Sequence, residues 1–98
     1  MNLTLWLNNK FKGLNLELLA VELDMPYEEL AGILNGTGIP TFTFVVKIMH
    51  YFNMDSNDQL ELFYYVGERL GIGANSVFKG VVDELLAMND EKHTLNRK

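Results

Sequence analysis

The stretch 14-LNLELLAVELDMPYEELAGILNG-36 decides how this chain folds. Leu16, Leu19, Ala20 and Leu23 recur at the three- and four-residue spacing of one helical face. Asn15 stands before them as a side-chain cap, so the pattern predicts a helix over about 15–23. Asp24 tolerates the left-handed backbone of a tight turn better than most residues with a side chain. Pro26 suits a first helical position, and Glu28 and Glu29 favour the positive end of the helix dipole, so a second helix is expected over about 26–35. Asn35-Gly36 ends it. The small Ala20 lets the two helices approach closely. Leu23, Leu30 and Ile33 fill the angle between them, and the turn at Asp24-Met25 sets a near-perpendicular crossing.

Reading outward, the same spacing recurs on both sides. Leu3, Trp6, Leu7 and Phe11 predict a helix from Leu3 to about Lys12, stopped by Lys10, Lys12 and Gly13. After the loop Gly36-Thr37-Gly38-Ile39-Pro40, Thr41 caps a helix carrying Phe44, Val45, Ile48, Met49 and Phe52, with Asn53 as its stop. The cluster Asp55-Ser56-Asn57-Asp58 opens a helix to about Leu70. It is apolar nearly all round (Leu60, Leu62, Phe63, Tyr64, Tyr65, Val66), so cover on more than one side is expected. Gly71-Ile72-Gly73 breaks it. Asn75-Ser76 then caps a last helix with two columns at spacing four, Val77/Val81/Leu85 and Phe78/Val82/Leu86. The polar end from Asn89 is expected to fray. No alternation of apolar and polar residues lasts long enough for a strand. The fold class expected is all-α, with five to six helices in a single domain. Residues 1–54 form a core unit, 55–89 complete the core or form a dimer interface, and 90–98 are a tail.

Composition bounds the function. The chain has 98 residues, 48% apolar and 11% aromatic, enough for one core. It has no cysteine, which excludes disulfide scaffolds, thiolate zinc sites and cysteine nucleophiles. No apolar run reaches the ~18 residues of a membrane span, and the first residues lack a basic leader, so a cytoplasmic protein is expected. The net charge is −5, unevenly spread. Residues 1–13 hold Lys10 and Lys12 and no acid. Residues 14–46 hold Glu17, Glu22, Asp24, Glu28 and Glu29 and not one Lys, Arg or His. No nucleophile–base arrangement stands out, so an enzyme, a cofactor and a small-molecule substrate are not expected. His50 and His93 lack ligand-spaced partners, so no metal is expected. Gly67 with Gly71-Ile72-Gly73 lacks both the preceding strand and the spacing of a phosphate loop, and reads as a helix break.

Between Lys12 and Met54 the chain resembles the lambda-repressor/Cro-type, or XRE-like, helix-turn-helix family. Leu14, Glu17, Leu19, Ala20, Leu23, Met25, Leu30, Ile33, Gly36, Pro40, Thr41, Lys47, Ile48, Phe52 and Met54 fall in register with its pattern without a gap. The match covers under half of the chain and rests mainly on core and turn positions. The resemblance implies a lambda-repressor-like bundle whose helix 26–35 would enter the major groove of DNA.

The departures fall on the DNA-facing positions. Leu16 stands where the family prefers a phosphate-reaching Gln, and Pro26 where it prefers Ser or Thr. Tyr27, Glu28, Glu29 and Gly32 replace its polar or basic residues. Affinity for DNA comes largely from cations that release counterions at phosphates, and a unit with none has lost that contribution. A carboxylate accepting from cytosine is worth about 1–3 kcal/mol, too little to offset several unpaired carboxylates near phosphate. The plainer reading of Glu28 and Glu29 is a solvated first turn that helps the dipole.

Two functions are therefore carried. The first is a regulator, of phage or mobile-element type, acting through a protein partner with a basic surface: an antirepressor, a repressor modulator or an inhibitor of a DNA-handling protein. Its contact would be the acidic face of Leu16, Tyr27, Glu28, Glu29 and Gly32. The alternative is a dimeric DNA-binding transcriptional regulator, with Tyr27, Glu28, Glu29 and Asn35 in the groove and Lys10, Lys12 and Lys47 on phosphates. A homodimer is expected in either case, through Phe63, Tyr64, Tyr65, Val77, Phe78, Val81, Val82, Leu85 and Leu86. It follows from aromatic and paired apolar columns and from the C-terminal dimerisation that the resemblance implies.

Overall fold

The computed structural model of the protein describes residues 3–10 and 14–96, the side chains of Thr4 and of 89–96 excepted. Six helices follow one another: α1 (Leu3–Lys10), α2 (Leu16–Glu22), α3 (Tyr27–Asn35), α4 (Phe42–Tyr51), α5 (Ser56–Leu70) and α6 (Ala74–Asn96). No strand occurs among the described residues.

Local chemistry sets most of the helix ends. The Asn15 side chain accepts from the Leu18 amide at 3.1 Å, Thr41 from Phe44 at 3.1 Å and Asp55 from Asp58 at 2.9 Å. Each satisfies one of the donors that a first turn leaves open. Gly36 and Gly71 end α3 and α5 with φ of 101° and 72°, a backbone that a side chain would strain. Asp24 and Asn53 take the same left-handed region, with φ of 53° and 49°.

Three boundaries, all in α3 and α6, differ from the expectation. α1 is described to Lys10, and Phe11, Lys12 and Gly13 lie outside the described residues. Pro26 is the N-cap of α3 rather than its first helical residue, in extended conformation (φ −60°, ψ 140°). The Asn75-Ser76 cap is not used. α6 already begins at Ala74, with the Ser76 and Val77 amides bonded back to the Gly73 carbonyl. Its backbone runs on to Asn96 instead of ending at Asn89. No Gly or Pro follows Gly80, so no residue breaks it.

One apolar cluster passes through all six helices. Leu7, Leu19, Leu30, Ile33, Leu34, Phe44, Val45, Val46, Ile48, Leu62, Val66 and Val77 are buried at its centre, and no polar side chain is buried with them among the described residues. α2 packs on α3, α1 on α3 and α5, and α6 on both α4 and α5. The contact of α6 with α4 is close: a Cβ at Gly80 would fall inside the Phe42 ring. Polar ties join distant elements. Trp6 Nε1 donates to the Glu61 carboxylate, and the Thr43 hydroxyl to Glu84 at 3.0 Å. The Arg69 guanidinium of α5 donates to the Ile33 carbonyl at 2.8 Å and to the Gly38 carbonyl. It thereby holds the last turn of α3 and the loop behind it.

The expectation that α5 is covered on more than one side holds only in part. Leu62, Phe63 and Val66 are buried, while Leu60 and Tyr64 are open to solvent. α1 takes one flank of α5 and α6 another, which leaves Leu60 and Tyr64 exposed among the described residues.

Candidate functional site

The acidic stretch comes together on α2, the turn after it and the start of α3. Glu17, Ala20, Val21, Asp24, Met25, Pro26 and Tyr27 line an open cleft there. Its geometry follows from the local sequence. Leu19, Ala20 and Leu23 bury one face of α2, which leaves Glu17 and Val21, one turn apart, on the other. The left-handed Asp24 then reverses the chain, and Pro26 feeds Tyr27 into the first turn of α3 beside them. Val21 is 75% exposed and Tyr27 48%. Glu17 and Asp24 line the cleft with them, Glu28 follows Tyr27 in the first turn of α3, and Glu29 lines a neighbouring cleft with Asp24 and Lys47; all four carboxylates are exposed.

The other expected contacts fare differently. Leu16 is half-buried against the core, so only part of it faces outward. Gly32 is half-buried under the following loop, with Thr37 and Gly38 in contact distance of the position of a Cβ. Asn35 is exposed, but its side-chain Oδ1 accepts from the Thr37 amide at 3.1 Å and the Thr37 hydroxyl at 2.9 Å. It serves the loop.

Of the cations expected on phosphates, Lys10 is paired. Lys10 lies 3.0 Å from Asp58 and 3.8 Å from Glu61. Its hydrogen bond to Asp58, with the pull of the Asp58 and Glu61 charges, holds its ammonium above the ordinary lysine value despite some desolvation. Lys12 lies outside the described residues. Lys47 is half-buried and lines a small cleft with Asp24, Glu29 and Thr43, so carboxylates are its neighbours.

The residues expected at a dimer interface separate into two groups. Phe63, Val77 and Val81 are buried in the protomer and present nothing to a partner, which corrects that expectation. Leu85 is half-buried against the core, and Tyr65 packs on Trp6 with ring centroids 5.7 Å apart. Val82 is half-buried, and Tyr64, Phe78 and Leu86 are exposed.

Sequence reasoning missed Val21 and named Leu60 only as an apolar residue expected under cover. On a helical wheel both stand opposite a core face.

The cleft offers the Glu17 and Asp24 carboxylates around an apolar floor. Among the described residues no group of three His, Asp or Glu side chains is placed to hold a metal ion, and no helix is long and apolar enough to cross a membrane. Compared with protein-family models, curated proteins and solved structures, the chain matches none.

Proposed function

We propose that this chain is a small regulatory protein of the helix-turn-helix type that works by binding a protein partner through the α2–α3 face. The in-register positions from Leu14 to Met54 support the type. The observation that carries the mode of action is exposed Val21 and Tyr27 in one cleft with Glu17 and Asp24, followed by Glu28 and Glu29 in the first turn of α3, in a 33-residue stretch without a cation. Interfaces draw affinity from a desolvated apolar or aromatic centre and specificity from complementary charge at the rim. A basic protein surface with an apolar anchor satisfies both. Duplex DNA satisfies neither, since it presents phosphates to the carboxylates. An antirepressor, a repressor modulator or an inhibitor of a DNA-handling protein has this kind of partner.

The test is capture of a defined partner from a lysate of the source organism, with the native chain and with Glu28→Lys/Glu29→Lys. The reading expects a captured basic protein that is released by salt and lost with the charge reversal. Equal capture by both chains would show that this face is not the contact.

A further inference from the structure

A separate cleft, of about 440 Å³, opens where the end of α2, the second half of α4 and α6 meet. α2 packs on α3 and α6 on α4, and the cleft is the space left between the two pairs. Its floor is apolar. Leu23 and Val46, both buried, line it together with Met88 of α6 and the Tyr51 ring. Phe52 braces that ring edge-on, with centroids 4.9 Å apart. The polar groups around this floor carry both signs. Glu22 and Asp24 reach it from α2 and the left-handed turn that follows. Lys47 and His50 reach it from α4, where a spacing of three puts them on one side of the helix. Lys47 is half-buried, and no ion pair joins it to a carboxylate among the described residues. An ammonium that gives up part of its water without gaining a counter-charge lacks compensation, which a bound carboxylate would supply.

We infer that this cleft binds a free α-amino acid with an apolar side chain. Size and charge select that class. The volume lies within the range of about 300–1,000 Å³ typical of small-ligand sites, in which an apolar lining holds the ligand and a few polar groups orient it. A plain anion would meet Glu22 and Asp24, and a plain cation would meet Lys47. A zwitterion satisfies both, with its carboxylate on Lys47 and the His50 ring donor and its ammonium on Glu22 and Asp24. An α-amino acid carries both charges on one carbon and its apolar group on the same carbon. It therefore needs two signs of charge and an apolar floor within a single cleft. Leu23, Val46, Tyr51 and Met88 take the side chain. Only Asp24 is shared with the α2–α3 cleft, and the inference does not depend on what that cleft binds.

NMR titration of the full labelled chain tests the site with three probes: L-phenylalanine, phenethylamine, which lacks the carboxylate, and 3-phenylpropionate, which lacks the ammonium. Phenylalanine is expected to give saturable shifts at Val46, His50 and Met88 with a Kd of about 1 mM or tighter. Each truncated analogue binds the native chain about tenfold more weakly. Lys47→Met weakens phenylalanine and 3-phenylpropionate and leaves phenethylamine unchanged. Glu22→Gln/Asp24→Asn does the reverse, weakening phenylalanine and phenethylamine but not 3-phenylpropionate; Asn keeps the tolerance for the left-handed turn. No saturable shift by about 10 mM phenylalanine, or an analogue that binds the native chain as tightly as the amino acid, would overturn the inference without recourse to any variant. Variants that fold but weaken all three probes alike would overturn the assignment of the two charges.

Discussion

The α2–α3 unit and the α5–α6 hairpin solve the same problem with opposite chemistry. Each is a pair of consecutive helices with one side on the shared core and one side open. The first pair is short, seven and nine residues, and surrounds its open apolar side chains with carboxylates. The second is long, fifteen and twenty-three residues, and leaves an apolar strip open. Short helices gain little from their own hydrogen bonds and depend on caps and tertiary packing. α2 and α3 accordingly carry a side-chain cap at Asn15, a glycine stop at Gly36 and an outside clamp from Arg69. The first pair is held from without by Arg69, and the second is a longer hairpin packed along its own length.

The sharpest way to break this contrast is to remove the core that both pairs share. Leu30 is fully buried on α3, and Leu30→Ala is expected to cost about 3 kcal/mol and to lower the melting temperature of the whole chain in one transition. Two separate transitions would show that the units are independently stable.

Next in size is Arg69→Ala, which leaves the Ile33 and Gly38 carbonyls without their donor and is expected to cost about 2 kcal/mol. Hydrogen exchange should rise first in α3 and the 36–40 loop, with α6 protected; uniform acceleration would contradict the clamp. Asn15→Ala removes the α2 cap and is expected to cost about 1 kcal/mol, read by denaturant melts.

The smallest effect concerns Lys10. Its folded-state value is raised by Asp58, so its contribution is complete below the ordinary value of 10.5 and is lost as pH rises through the raised one. Lys10→Met should therefore trail the native chain by a small constant margin at neutral pH, and the margin should close only in strong alkali.

Legibility in the sequence followed the range of the interaction. Asn15, Thr41 and Asp55 act within three residues, and Gly36, Gly71 and Asp24 within their own dihedrals, so the all-helical order and most helix ends were readable. Pro26 was placed one position too far into its helix because both positions suit its fixed φ. Which apolar column of α6 faces inward depends on Gly67 and Gly80, residues far from it or on its other side, so Val77 and Phe78 looked alike. The Arg69 clamp spans 36 residues and leaves no local trace. Of the site, the carboxylates were plain, whereas Val21 was hidden because an apolar residue on a helix reads first as core.

If the α2–α3 pair, which has no cation, serves a basic protein and not duplex DNA, labelled duplexes should show it. In anisotropy titrations of random and palindromic duplexes with the native chain, at low and then rising ionic strength, no saturable binding is expected even at the lowest salt. Tight binding that falls steeply as salt is added, with the slope of several displaced counterions, would contradict it.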